Sequence, residues 1–485
     1  MADARHRYRV GNGVSALAPV LCGLLLFSSS VHALTPEQWL EDFRQLLGEM
    51  SSHYANLDSA VKDRRIDLAE IRKTAETRIA AAKTDGEAKA AIDWFLRQFG
   101  DGHARVDWSK SESVKEKPRP ICERLGYTRR DAGGLDFSKV DGFTALNDAD
   151  SLYFPAGILR LSDKRKPGML RIHLFTETAH PELCTQAQKE LGIADGAECG
   201  SDCFHRMQIR TGNLLTAALE RRIEALQRAG ATAIVVDLTG NGGGNDWVEP
   251  AARVLTPVPL RSPRVAFLRH PHWSNQLRQH LHDIEADLRD KAEPRAVLKE
   301  AADTIRTALK EAEKPCDRSG VWSDAPTKPD CSLVVAEGIH STGVLAYAKP
   351  GTFAETLRSR GRLFYPSQYS YREGLNRLPL IVVTDGGTAS ASELFVASMR
   401  DNNAARIIGT PTNGSGCGYT DGGIAASLKH SGGTVKLPDC IRLRADGTNE
   451  VLGIIPDVLV PWGWRDSRYQ RAMNVVRVLE TVVKR

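Results

Sequence analysis

A serine sits where acyl-transfer chemistry could use one. The stretch VVTDGGTASASELF (residues 382–395) reads as a buried strand, a glycine-rich turn and a helix that starts near Ser390. A serine at such a junction exposes its hydroxyl. The first turn of the helix aims unpaired backbone N–H groups at any oxyanion formed there. By residue type alone, Ser390 and Ser392 are also ordinary helix caps. A second segment, AIVVDLTGNGGG (233–244), ends another apolar strand in glycines. Glycines let the backbone turn tightly and approach a substrate closely. It is not a phosphate loop, because no Lys-Ser/Thr follows the glycines.

A serine hydroxyl needs a base to take its proton. Lys429 and Lys436 lie downstream of the serine motif but outside it.

The run GTASASELFVASMRDNNAARIIGTPTNGSG resembles the core signature of the tail-specific (C-terminal processing) protease family. In that family the middle serine of T-A-S-A-S-E is the nucleophile, which implies Ser390; Glu393 then falls on the helix in a structural place. The 233–244 segment resembles the family's D-L-R-x-N-x-G-G stretch, with Thr239 where arginine is usual. The resemblance implies an oxyanion hole built from Gly242 and Gly243 with the N–H of Ala391. Many members carry a lysine about 25 residues after the serine; Ser415 occupies that place here, so no Ser/Lys dyad is expected.

A branch similar to the tricorn protease core uses histidine after a helical segment ending in D-G-H. YANLDSAV…AIDWFLRQFGDGHARV resembles it and implies His103 as the base. The same branch places a glutamate before G-[VI]-x-P-D, which implies Glu450. Its relay serine, just before the histidine, is Gly102 here. Across residues 34–465 the resemblance implies an α/β core of the ClpP/crotonase spiral type. It implies peptide hydrolysis through an acyl-enzyme, on polypeptide substrates, with no metal or organic cofactor. The alternative is a non-catalytic relative that binds a ligand or peptide on the same scaffold; retention of serine, histidine and glutamate together argues against it. A crotonase-like acyl-CoA enzyme would not need the G-T-A-S-A-S turn.

These residues need elements to position them. Thr35-Pro36-Glu37-Gln38 signals a helix start, and Trp39, Phe43 and Leu46-Leu47 recur at helical spacing. Further helices are expected over 68–83 and 85–99, and a strand in HARVDW. Together, residues 34–109 make an N-terminal helical domain. Residues 110–167 read as small strands and loops, without a clear PDZ module. From 168 to 465 the pattern is α/β: strand GMLRIHLF, a helix over 213–229, strand TAIVVDL, strand LPLIVVTD, a helix over 391–402 and strand ARIIGT. A charged helical hairpin, interrupted by Pro294, is inserted at about 262–350; it carries His270, His272, His280 and His282, whose spacing favours a solvated face over metal binding. Residues 466–485 read as a C-terminal helix.

Residues 1–33 read as a secretory signal: Arg5, Arg7 and Arg9, an apolar stretch over 14–27, and the small-residue exit Val31-His32-Ala33. Its removal takes the net charge from +5 to +3. That near balance, with no basic stripe, excludes a typical nucleic-acid binder, and no other segment is apolar enough to span a membrane. The expected location is periplasmic or secreted. Eight cysteines follow the leader, and an even count in an exported chain favours disulfides over zinc. Eight cysteines allow about 105 connectivities; local spacing makes Cys199 with Cys203, Cys316 with Cys331 and Cys417 with Cys440 plausible pairs, which would leave Cys122 with Cys184.

Overall fold

The computed structural model describes residues 33–108, 119–131, 133–324, 331–353 and 357–482. The expected leader lies outside them, except for Ala33.

A seven-stranded mixed sheet forms the centre, in the spatial order Val458–Leu459, Arg406–Gly409, Leu380–Thr384, Ala233–Asp237, Pro167–Arg171, Ala156–Leu159, Phe143–Ala145. The first five strands are parallel and the last two antiparallel. The central strands AIVVD and LIVVT are buried at every position, which explains their unbroken apolar runs: both faces are covered. Ile234, Val236 and Val382 pack against Leu215, Leu219, Ile223, Val248 and Phe395 on one face. Val235, Ile381 and Val383 pack against Ala472, Val475 and Leu479 of the C-terminal helix Arg468–Val482 on the other. Each such buried aliphatic side chain stabilises the fold by roughly 1.5–3 kcal/mol relative to exposure.

The strands from 143–159 extend this sheet, so the region read as a connection supplies part of the core layer. The long helix runs Ser201–Arg228, twelve residues earlier than its apolar stripe suggests. Of its first ten residues only Met207 is buried, so no periodic signal marks that part, and Cys199–Cys203 closes over its first turn.

The N-terminal region is helical as expected, with Pro36–His53, Leu68–Ala80 and Asp85–Arg97. Thr35 and Gln38 form a reciprocal capping box at its start, a device contributing about 1 kcal/mol. Phe43, Phe95, Phe99 and Trp322 form its aromatic centre. The insertion is a helical pair, Pro271–Arg289 and Arg295–Ala312, broken at Pro294. His270 and His272 serve local structure there. His270 Nδ1 accepts the His272 N–H, capping the helix, and His272 is hydrogen-bonded to the Thr420 carbonyl and lies 3.5 Å from Asp439.

A second sheet was not legible beforehand. Cys440–Leu443 pairs antiparallel with Arg264–Leu268, which pairs with Val334–Val335. All four disulfides join the expected partners: Cys122–Cys184, Cys199–Cys203, Cys316–Cys331 and Cys417–Cys440. Among the described residues no helix is long and apolar enough to cross a membrane.

Candidate active site

Two glycine-rich loops leave the C-terminal ends of neighbouring central strands and are stitched together. Asp385 Oδ1 accepts the N–H of Gly240 at 2.8 Å and of Gly387 at 2.9 Å. Thr388 Oγ1 donates to the Leu238 carbonyl, and Ala389 N–H to the Asn241 carbonyl. The chain then enters the helix Ala391–Asp401 through Ser390, which holds φ 56° and ψ −117°. A non-glycine residue at positive φ is strained, and such strain concentrates at functional elbows. The Ala391 N–H has no acceptor among the described residues, as expected for the first residue of a helix.

Gly243 lies against this elbow. A Cβ added there would stand 2.7 Å from the Ala389 oxygen, 2.8 Å from Ser390 Cβ and 2.9 Å from the Ala391 nitrogen, and φ is +107°. Only glycine fits. Its N–H, however, donates to Asn241 Oδ1 at 3.0 Å. Gly243 is therefore the spacer, not the free donor that the family pattern implies. Gly242 faces open space, and its N–H has no acceptor among the described residues.

His103 follows Asp101, whose buried carboxylate accepts the His103 N–H at 2.9 Å, Asn56 Nδ2 at 2.8 Å and Tyr54 OH at 3.1 Å. Burial pushes the Asp101 carboxyl up to about 6, although these hydrogen bonds and Arg64 oppose the shift. The imidazole Nδ1 is 2.9 Å from the Ser415 carbonyl oxygen. A carbonyl only accepts, so Nδ1 carries the hydrogen and Nε2 keeps its lone pair. Gly418 packs on the ring, at a distance where an added Cβ would stand 3.2 Å from Nε2, and the Tyr419 hydroxyl donates to the His103 carbonyl. Burial holds the His103 pKa below the ordinary histidine value. The Ser415 carbonyl acts against that shift, Arg442 and Arg105 add to it, and Glu450 opposes it.

Gly102, where the similar branch has a relay serine, leaves no room for one. A Cβ there would stand 2.4 Å from Ser415 Oγ and 2.9 Å from Asn413 Oδ1. Ser415 thus fills the space with its side chain and orients His103 with its backbone. No sequence signal distinguishes a backbone carbonyl with this role, and its residue was noticed only as the place where lysine is missing.

Glu450 does not touch the imidazole. It is buried, and Arg442 Nε donates to both its carboxylate oxygens at 3.0 Å. Burial pushes the Glu450 carboxyl up and Arg442 draws it back. With Gly102 in the relay position, the described residues show Glu450 paired with Arg442 and not hydrogen-bonded to the imidazole. Glu393 is structural but central. Its buried carboxylate accepts the N–H groups of Ser390 (3.0 Å), Gly414 (2.7 Å), Ser415 (2.9 Å) and Gly416 (3.2 Å), and the Thr412 hydroxyl (2.7 Å). One carboxylate therefore fastens the backbone of Ser390 to the loop that holds His103. Ser390 Oγ and His103 Nε2 are not hydrogen-bonded to each other in this state. Such contacts are commonly long without substrate and tighten with it.

A serine on a strained strand-to-helix elbow of a mixed α/β sheet, tied through Glu393 to the loop that holds a histidine in one tautomer, makes a candidate serine-peptidase site. The chain belongs to peptidase family S41, whose family pattern matches residues 207–460. It is 34% identical over 83 residues to the carboxy-terminal-processing protease of Bartonella bacilliformis, an alignment spanning 17% of this chain and 18% of that relative. Its fold is similar to mature CPAF complexed with lactacystin (TM-score 0.56, 14% identity, 92% of this chain and 98% of that one). It is likewise similar to mature CPAF (TM-score 0.55, 14% identity, 92% and 97%). A match to the tricorn protease has a TM-score of 0.33, with 11% identity over 92% of this chain and 37% of that one; it is too distant to assign a branch.

Proposed function

We propose that the protein is an exported serine endopeptidase that hydrolyses exposed polypeptide segments through an acyl-enzyme, with Ser390 as nucleophile and His103 as base. The observation that carries this reading is the fixed tautomer of His103 on the loop that Glu393 ties to Ser390. His103 Nε2 takes the Ser390 Oγ proton as Oγ bonds to the peptide carbonyl carbon. The resulting oxyanion receives hydrogen bonds from the N–H of Ala391 and from the 242–244 loop, with Gly242 the donor of choice. The C–N bond breaks as Nε2 returns the proton to the leaving amine. Water, deprotonated by the same nitrogen, then cleaves the ester and restores Ser390. Glu450 holds Arg442 and acts on His103 as a nearby charge, not by contact. The S41 fold is read as built on a ClpP/crotonase-like spiral core. Four disulfides suit an oxidising compartment, which supports export to a periplasmic or extracellular space.

The test is hydrolysis of a dye-labelled, denatured polypeptide by the purified protein. Ser390→Ala and His103→Ala should each lower kcat by at least about a thousandfold while leaving the circular dichroism spectrum unchanged. Hydrolysis by the Ser390→Ala protein would overturn the reading, and a folded wild type that binds the polypeptide without cleaving it would support a binding protein.

A further inference from the structure

Arg442 lies on the strand Cys440–Leu443, in a part of the chain that the sequence pattern left unread. It is 7% exposed, and its Nε and Nη2 are directed at the Ser390 carbonyl, the Gly416 carbonyl and Glu450. Nη2 donates to the Ser390 carbonyl at 2.9 Å and to the Gly416 carbonyl at 2.7 Å, and Nε binds both oxygens of Glu450. Gly416 is next to Ser415, whose carbonyl orients His103. A single guanidinium therefore spans the nucleophile's own peptide unit and the loop that holds the base. The planar fork is needed for this, because an ammonium is a point charge that cannot hold three acceptors in one plane.

We propose that Arg442 is a positioning residue for the hydrolytic reaction: balanced by Glu450, it locks the Ser390 carbonyl to the base loop and keeps a fixed positive charge beside His103. The proposal rests on the assignment of Ser390 and His103 above. Burial opposes the Arg442 charge, and Glu450, with Glu393 and Glu249, more than compensates, so the guanidinium stays protonated. The charge has a consequence that a packing role lacks. The groups facing His103 are Arg442 and Arg105, which disfavour the imidazolium, Glu450, which favours it, Asp101 at its backbone N–H and the Tyr419 hydroxyl at its carbonyl. Removing Arg442 removes a cation that disfavours the imidazolium, so His103 protonates at higher pH. Removing the Glu450 charge alone has the opposite effect.

The experiment is the pH dependence of kcat and kcat/KM on a fluorogenic peptide for four variants. Arg442→Lys keeps the charge and loses the fork: kcat should fall about 10- to 100-fold with KM nearly unchanged and the acid limb in place. Arg442→Gln should move the acid limb to higher pH and Glu450→Gln should move it to lower pH. Where Arg442→Gln fails to fold, Arg442→Met/Glu450→Leu removes both charges at similar volume, a replacement that buried pairs often tolerate. That double variant should fold, with kcat reduced at least tenfold. A folded double variant with wild-type kcat, or limbs that stay fixed in both single-charge variants, would overturn the role of Arg442. Failure of the underlying assignment is separate: it would show as full activity in His103→Ala with Arg442 intact.

Discussion

Ser390 and Ser415 share one hydrogen-bond acceptor: their backbone N–H groups donate to the same oxygen of Glu393, Oε2, at 3.0 and 2.9 Å. The Ser390 elbow and the loop that holds His103 are thereby fixed relative to each other by one buried carboxylate. Glu393→Gln replaces one of two accepting oxygens with an NH2 facing N–H donors. The expected cost is about 2–3 kcal/mol of stability, from buried donors left without acceptors. The kcat should fall further than this stability loss accounts for at temperatures where the variant stays folded. Urea denaturation and steady-state kinetics on one preparation check both.

Gly102 is confined by Ser415 Oγ, 2.4 Å from where a Cβ would stand. Gly102→Ser, although it installs the relay serine of the similar branch, should push Ser415 away from His103 and lower kcat at least tenfold. Adding Ser415→Ala removes the clashing oxygen and keeps the carbonyl that holds Nδ1, so the double variant should recover part of the loss. Additive losses in the two single variants and their combination would contradict this geometry.

The disulfide Cys417–Cys440 ties the loop that holds His103 to the strand bearing Arg442, across a sequence separation of 23. Loop closure of that size stabilises by about 3 kcal/mol in the chain-entropy treatment. Cys417→Ser/Cys440→Ser should lose that stability and also lose kcat. By contrast, Cys199→Ser/Cys203→Ser, which opens only the short loop at the start of the long helix, should leave kcat within about twofold. Thermal melts and kinetics of the two double variants distinguish a loop-positioning bond from a merely stabilising one.

His53 and His180 are buried, each with one ring nitrogen lacking a partner among the described residues. Burial lowers both pKa values to about 4. Because the folded values lie below the unfolded ones, their stabilisation is whole above about pH 6.5 and is lost as pH falls towards 4. At pH 5 each contributes a loss of roughly 2 kcal/mol. Asp101, raised to about 6, runs the other way and offsets part of this loss. His53→Gln should therefore lose roughly 2 kcal/mol less than wild type between pH 7 and pH 5, as measured by denaturant unfolding at both values.

Sequence pattern marks a candidate residue where residue type and local spacing carry the signal. Ser390 sits in a strand–turn–helix signature, and the buried strands around it announced themselves as unbroken apolar runs. The roles it missed belong to backbone atoms or to contacts between distant segments. The Ser415 carbonyl holds His103 from 312 positions away, and nothing in a serine's identity marks that. Arg442 reaches Ser390 from a four-residue strand too short for a periodic signal. The family resemblance implies Gly243 as a donor, yet its N–H is taken by Asn241, two residues earlier. The first ten residues of the helix Ser201–Arg228 escaped because that part buries almost nothing apolar.

The most direct measurement is the site and rate of reaction with a fluorophosphonate, followed by intact-mass and peptide mass spectrometry. The account predicts one adduct per chain, located on Ser390, absent in Ser390→Ala and formed at least about a hundredfold more slowly in His103→Ala. An adduct on any other residue, or labelling of Ser390 at an unchanged rate without His103, would contradict it.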